Sequence, residues 1–283
     1  MTKWFVTDMD GTFLDDDKKI SPHSKSVIKR LKDKGIKFII ATGRADIAVK
    51  NYYNEMGLED LTISCNGSFI RNQKTGEIIY EKHLNMNEIE IIHDTYLKNT
   101  DGTVEFHLYT PNYIYCDKYS NNIKRIRKYE KINNAKYKTP VIIEKDVISS
   151  IEKNNDKCYK VMIYSDNKRI LEEIFDKIKE KIDVEGRFSA DNFFDISSKG
   201  TSKSNGIKKV ADYYNLKIED AIAFGDGFND IDMLEMVGKG ICPINAKKEI
   251  RDICDEVIGS NNDYSILKYI EDYLNKIGEE YEK

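Results

Sequence analysis

An α/β fold, in which a parallel sheet is interrupted by an inserted α+β domain, is the architecture this sequence predicts. Three observations point to it. Apolar, β-branched runs alternate with segments of helical period through the first 67 residues, the strand–helix–strand rhythm of a parallel sheet. That rhythm breaks near Lys82 into hairpin and helix patterns and returns toward the C-terminus. Charged and hydroxyl residues gather where the apolar runs end, and in open parallel sheets ligands collect at the carboxyl ends of strands.

The first run, Lys3-Trp4-Phe5-Val6-Thr7, reads as a buried strand and ends in Asp8-Met9-Asp10-Gly11-Thr12. Gly11 permits a sharp turn, and Thr12 is placed to cap the next segment. Ser21-Pro22 offers an N-cap and a proline at the first helical position; Val27, Ile28 and Leu31 come next at helical spacing, and Gly35 ends the helix. Ile36–Ala41 is a second strand, stopping at Thr42-Gly43-Arg44. A helix bearing Ile47 runs to about Gly57, and Leu61–Cys65 is a third strand, closed by Asn66-Gly67. Asp8, Thr42 and Asn66 therefore each stand at a strand end.

After Lys82, the spacing of Ile89, Ile92 and Tyr96 predicts a helix. Val104–Tyr109 and Tyr113–Asp117, split by Thr110-Pro111-Asn112, predict an antiparallel hairpin. Ile123 and Ile126 mark a helix, Val141–Ile143 and Lys160–Tyr164 are strands, and Ile170, Ile174 and Ile178 line a helix. The core sheet is expected to resume at Phe193–Ile196. Thr201 is expected to cap a helix carrying Ile207, Val210, Ala211 and Tyr214. Ala221–Phe224 is a fourth core strand ending in Gly225-Asp226-Gly227-Phe228-Asn229-Asp230, and Gly240–Ile244 a fifth, followed by Asn245. Leu267, Ile270, Leu274 and Ile277 make a closing amphipathic helix. The domain division is residues 1–83 and 190–283 for the core and 84–189 for the insertion.

The chain of 283 residues is one-third charged, yet its net charge is only −4, which implies neither nucleic acid nor an anionic membrane as partner. No apolar run reaches the roughly 18 residues of a membrane span, and the N-terminus enters a strand at once. Cys65, Cys116, Cys158, Cys242 and Cys254 are scattered and form no Cys-x-x-Cys pair, so they read as reduced thiols of a cytoplasmic protein. His23, His83, His93 and His107 show no zinc spacing. Oligomeric state is not encoded legibly.

Asp8 and Asp10, two residues apart on an extended backbone, point to the same side, with Cα atoms roughly 6.5–7 Å apart. Like charges that close call for a cation between them or a shared proton. Mg²⁺, a hard cation that takes oxygen ligands and keeps positions for substrate phosphate, meets that need. An ordinary Asp-Gly turn is the competing reading. A calcium loop fails on spacing, because Phe13 stands where an oxygen ligand is wanted. Lys203 alone would be an exposed helix lysine, and its Gly-Thr-Ser-Lys-Ser setting is no Walker loop.

Taken together, Asp-x-Asp-Gly-Thr, Thr-Gly-Arg, a lone Lys and Gly-Asp-Gly-x-Asn-Asp resemble the haloacid dehalogenase-like hydrolase superfamily. More narrowly, the chain is similar to the Cof-type sugar-phosphate phosphatases, and the resemblance runs nearly end to end. It implies a Rossmann-like core with an inserted α/β cap that sets substrate specificity. By that resemblance Asp8 is the nucleophile and Asp10 the acid and base. Mg²⁺ is held by Asp8, the carbonyl of Asp10 and Asp226, with Asp230 in or near the second shell. Met9 and Gly43 (through their amides), Thr42, Lys203 and Asn229 hold the phosphoryl oxygens. The implied substrate is a small phosphate ester. A carboxylate suits nucleophilic attack because it is ionised at neutral pH and its acyl phosphate hydrolyses readily.

Three departures stand out. Cys242-Pro243-Ile244-Asn245 replaces a small, Gly-containing turn, Asn261-Asn262-Asp263-Tyr264 lacks the usual Asp-Gly, and Phe228 sets an aromatic ring beside the metal motif. Phe228 either packs or touches the cap; whether Asn66 or Asn245 meets ligand is open. The leading reading is a Mg²⁺-dependent phosphatase of small phosphorylated metabolites, with sugar phosphates first. Its rivals are a hexose-phosphate mutase, a pyridoxal phosphate or flavin mononucleotide phosphatase, and a catalytically silent metabolite-binding protein.

Overall fold

The computed structural model describes residues 3–100 and 102–281. In the first third of the chain are β1 (Trp4–Thr7), α1 (Ser24–Asp33), β2 (Phe38–Ala41), α2 (Asp46–Met56), β3 (Thr62–Ser64), β4 (Phe69–Arg71), β5 (Ile78–Glu81) and α3 (Met86–Asn99). The middle holds β6 (Glu105–Tyr109), β7 (Ile114–Cys116), α4 (Asn121–Ile132), β8 (Val141–Ile143), α5 (Val147–Lys153), β9 (Lys160–Tyr164), α6 (Lys168–Lys179), β10 (Val184–Ala190) and β11 (Phe193–Ser198). The chain closes with α7 (Lys203–Tyr214), β12 (Ala221–Phe224), α8 (Ile231–Met236), β13 (Lys239–Pro243), α9 (Lys248–Arg251), β14 (Glu256–Ile258) and α10 (Ser265–Tyr281).

Two sheets result. The first runs β14-β13-β12-β1-β2-β3-β4-β5, and the second β10-β11-β9-β6-β7-β8. From β14 to β3 every pairing is parallel, while β4 and β5 extend the edge as an antiparallel hairpin. Strand β1 is buried throughout, and its alternate residues feed opposite layers: Phe5 enters one apolar cluster and Trp4 and Val6 the other. That double burial explains why the run reads as continuously apolar.

The second sheet is antiparallel apart from the β7–β8 pair. One face packs under α3, α5 and α6 through residues such as Ile92, Ile151 and Ile174. The other face meets the first domain: Tyr109, Ile114, Tyr159 and Met162 form a cluster with Ala45, Cys65 and Phe69. The insertion therefore lies over the carboxyl ends of β2 and β3.

Several local expectations are corrected. Phe193–Ser198 does not resume the core sheet; it is β11 of the second sheet, paired with β9 and β10. The expected break at residue 190 cuts through the β10–β11 hairpin. Strand β10 has no clear sequence pattern, because Val184–Ala190 is only half buried and carries Glu185 and Arg187. The side chain that caps α7 is that of Ser202, accepting from the Asn205 amide, not that of Thr201. Ser21 accepts from the His23 amide in a turn just before α1, which begins at Ser24.

Candidate active site

Four chain segments converge where parallel strands end. Asp8 follows β1, Thr42 and Gly43 follow β2, and Cys65–Gly67 form a single 3₁₀ turn after β3. Asp226 to Asp230 follow β12, through a 3₁₀ turn at Phe228–Asp230. Lys203, the first residue of α7, enters from the side. Gly67 makes its position possible: φ is +97°, and a Cβ there would sit 2.0 Å from the Ser202 carbonyl oxygen. Gly11 is under the same constraint. With φ +81°, a Cβ there would come within 2.3 Å of the Asp226 carboxylate, so only glycine lets the first loop close on the fourth.

Carboxylate oxygens of Asp8, Asp226 and Asp230 lie within 4.8 Å of one another. Lys203 is fully buried and donates to Asp8 Oδ1 at 2.6 Å and to Asp230 Oδ1 at 2.5 Å. The other oxygen of Asp230 accepts from the amides of Asp226 and Gly227 at 3.0 and 2.9 Å, which ties down the loop. Thr12, expected as a cap, instead donates its hydroxyl to Asp226.

Two buried carboxylates and the half-buried Asp226 against one ammonium leave the cluster short of positive charge. Burial pushes Asp8 up to about 7; Lys203 opposes the rise, and the charges of Asp230 and Asp10 add to it. Burial, then Asp8 and Asp230, raise Asp226 well above the usual carboxylate range. Burial would lower the Lys203 pKa, but Asp230 and Asp8 hold it above its ordinary value. Three hard oxygen donors with unbalanced negative charge are the donor set that a divalent cation takes.

Asp10 behaves differently. Desolvation would raise its pKa, but Arg44, with Lys18 and Arg125 behind it, holds it far below the carboxylate range. Arg44 grips both oxygens, Nε to Oδ2 at 2.6 Å and Nη2 to Oδ1 at 2.7 Å, and Lys18 lies 3.1 Å from Oδ1. The Asp10 side chain is thus outside the triad. Met9 buries its side chain in the hydrophobic core.

Thr42, Gly43 and Asn229 line the same cavity as Asp8, Asp10 and Asp226, a space of about 960 Å³ between the two domains. Arg125, Tyr129 and Phe193 face it from the insertion. Asn229 Nδ2 donates to Asn66 Oδ1 at 3.0 Å. Phe228 packs on the core cluster that includes Val6 and Met233, with the Lys247 ammonium 4.9 Å from its ring centroid. Asn245 braces the first loop: Nδ2 donates to the Gly11 carbonyl at 2.8 Å, and Oδ1 accepts from the Asn261 amide at 3.0 Å. Asn261 in turn donates to the Leu14 carbonyl at 3.0 Å. The two departing motifs thus lean on one another and on the first loop.

Arg44 stands inside a recognisable motif that assigns it no role, and the Asn245–Asn261 bracing has no sequence signal at all. Lys18, Lys160 and Asp195 look, in the sequence, like ordinary surface or strand charges.

A parallel core with acids at its strand ends, closed by an inserted mixed sheet, defines a hydrolase of the phosphoryl-transfer kind. The family model described as haloacid dehalogenase-like hydrolase matches residues 5–270, and the chain belongs to that family. It is a phosphatase of the family, of the Cof-type, capped subclass. Among similar proteins, 5-amino-6-(5-phospho-D-ribitylamino)uracil phosphatase YitU of Bacillus subtilis is 26% identical over 281 residues, covering 95% of this chain and 96% of that protein. Pyridoxal phosphate phosphatase YbhA of Escherichia coli is 23% identical over 277 residues, covering 96% and 99%. A solved structure of a subclass IIB sugar phosphatase superposes with a TM-score of 0.79 at 22% identity, covering 96% of this chain and 99% of that one. Among the described residues no helix is long and apolar enough to cross a membrane.

Proposed function

We propose that this protein is a Mg²⁺-dependent phosphatase of small phosphorylated metabolites, with sugar phosphates the first class to test, acting through an aspartyl-phosphate on Asp8. The observation that carries the reading is the Asp8 carboxylate. It is buried at a strand end, bonded to Lys203, and within 4.8 Å of two further acids. Asp8 and Asp226, with the Asp10 carbonyl and with Asp230 close behind, would hold the ion. When bound, the ion supplies charge neutralisation for Asp8 and the phosphoryl group it attacks.

In the first half-reaction Asp8 forms a bond to phosphorus as the ester oxygen departs and takes a proton from Asp10. In the second, water attacks the phosphoaspartate, Asp10 accepts its proton, and phosphate leaves with Asp8 regenerated. Lys203, Thr42, Asn229 and the amides of Met9 and Gly43 offer donors for the phosphoryl oxygens. Arg44 keeps Asp10 ionised, which suits the second half-reaction. To donate a proton in the first, Asp10 must slip from the Arg44 grip.

The five cysteines are free, four of them buried, which supports a reducing, cytoplasmic setting. The test is release of inorganic phosphate from sugar phosphates, pyridoxal phosphate, flavin mononucleotide, nucleotides and the phosphoribityl ester named for the Bacillus relative, with and without Mg²⁺. Release that depends on Mg²⁺ supports the reading. Turnover that requires a bisphosphate activator points to a mutase, and ligand binding without turnover points to a binding protein.

A further inference from the structure

Every group assigned to the chemistry comes from the first domain, yet two buried charges that line the same cavity come from the second. Lys160 opens β9 and Asp195 sits in β11, its neighbour in the second sheet. Their side chains are 5% and 1% exposed, and they pair at 3.0 Å. An ion pair this deep is a weak source of stability, since apolar residues of similar size often serve as well. Asp195 Oδ1 also lies buried with no hydrogen-bond partner among the described residues, which is a further destabilising element.

What the pair holds gives it a purpose. The Lys160 ammonium donates to the Gly43 carbonyl at 2.7 Å, while its charge lies 4.3 Å from the Tyr109 ring centroid. Asp195 Oδ2 accepts from Asn66 Nδ2 at 2.8 Å, and Asn66 Oδ1 accepts from Asn229 Nδ2 at 3.0 Å. The order of those bonds is forced. An ionised carboxylate only accepts, so Asn66 must turn its NH₂ toward Asp195 and its oxygen toward Asn229. Asn229 must then answer with its own NH₂, and its oxygen is directed elsewhere. One carboxylate in the cap thereby sets the orientation of two amides in series. Gly43 is enclosed in the same arrangement, since a Cβ on it would lie 3.0 Å from Asn66 Oδ1 and 3.6 Å from Asn229 Nδ2.

We propose that Lys160 and Asp195 are positioning residues supplied by the cap to the phosphate-binding loops, Lys160 fixing the Gly43–Arg44 peptide and Asp195 fixing Asn229 through Asn66. The inference rests on the phosphate-binding role proposed above for Gly43 and Asn229. It makes docking of the cap sheet a condition for an ordered phosphate site, in addition to whatever the cap contributes to the leaving group.

Asp195→Ala tests it, because it removes the one oxygen, Oδ2, that accepts from both Lys160 and Asn66, and so frees the Asn66 amide to turn. Asn66→Ala cuts the relay and leaves the ion pair in place. The probe is inorganic phosphate, titrated calorimetrically in the presence of Mg²⁺, alongside kcat and KM on any ester the protein hydrolyses. Both variants are expected to bind phosphate about tenfold or more weakly and to lose about 10²-fold in kcat/KM, the scale of an ångström-level misplacement. Mg²⁺ affinity should stay within about twofold, since neither residue belongs to the acidic triad, and a matching loss there would mean general damage to the fold. Phosphate binding equal to wild type in either folded variant overturns the positioning role. Should Asp195→Ala fail to fold, Asn66→Ala decides alone. Should wild-type protein bind no phosphate at all, the proposed function falls and this inference with it, an outcome distinct from equal binding by wild type and variant.

Discussion

Lys203 donates a 2.6 Å hydrogen bond to the Asp8 carboxylate from a side chain with no solvent exposure. The same ammonium reaches Asp230, so one cation holds the Asp8 carboxylate and the loop after β12 together. Lys203→Met should therefore damage both stability and chemistry. Removing one partner of a buried charge cluster costs about 3–5 kcal/mol, and losing a donor to the transferring group costs about 10²–10³ in kcat. Urea denaturation of metal-free protein and phosphate release by the refolded variant check the two effects separately. A variant as stable and as active as wild type would remove Lys203 from the site.

Gly11→Ala is expected to act on the metal rather than on the fold at large. Its Cβ has no room beside the Asp226 carboxylate, and φ of +81° strains any side chain. The first loop must shift, spoiling the Asp226 contribution and weakening Mg²⁺ binding by about tenfold, one lost carboxylate contact in the arithmetic of affinity. Calorimetric titration of Mg²⁺ reads this directly.

The cap carries a pH dependence of its own. His107 is fully buried between Ser120 and Asn122, and burial, then Lys160 and Lys118, bring its pKa down to about 3. Unfolded, the imidazole takes a proton below its ordinary value of 6.5. Between those two values the unfolded chain binds the extra proton, so stability falls as pH falls. His107→Gln cannot titrate and should show a shallower loss between pH 6.5 and about pH 4. Denaturant midpoints of both proteins across that range check it; parallel curves would show that His107 is not held neutral.

The parallel core is legible because β1, β2, β3 and β12 are buried on both faces and so read as unbroken apolar runs. Strands β10 and β14 are not, since β10 is half exposed and β14 is a three-residue edge, and neither imposes a strong pattern. The acids and Lys203 are legible as motif residues at strand ends. Their surroundings are hidden from the sequence, because they depend on contacts across the fold: Asp195 meets Asn66 over 129 positions, and Asn245 meets Gly11 over 234. Periodicity reports burial along one element and carries no information about such pairs. Arg44 shows the intermediate case, a residue in a recognisable motif whose grip on Asp10 emerges only in three dimensions.

The attack proposed for Asp8 is open to one direct measurement. Protein turning over a phosphate ester with Mg²⁺ is quenched in acid and digested with pepsin at low pH, where an acyl phosphate persists, and the peptide that carries Asp8 is weighed and fragmented. The expected result is a single phosphoryl group on Asp8, absent from Asp8→Asn, which should hold its fold and lose turnover. Steady turnover with that peptide unmodified, or a phosphoryl group that persists in Asp8→Asn, would contradict the assignment.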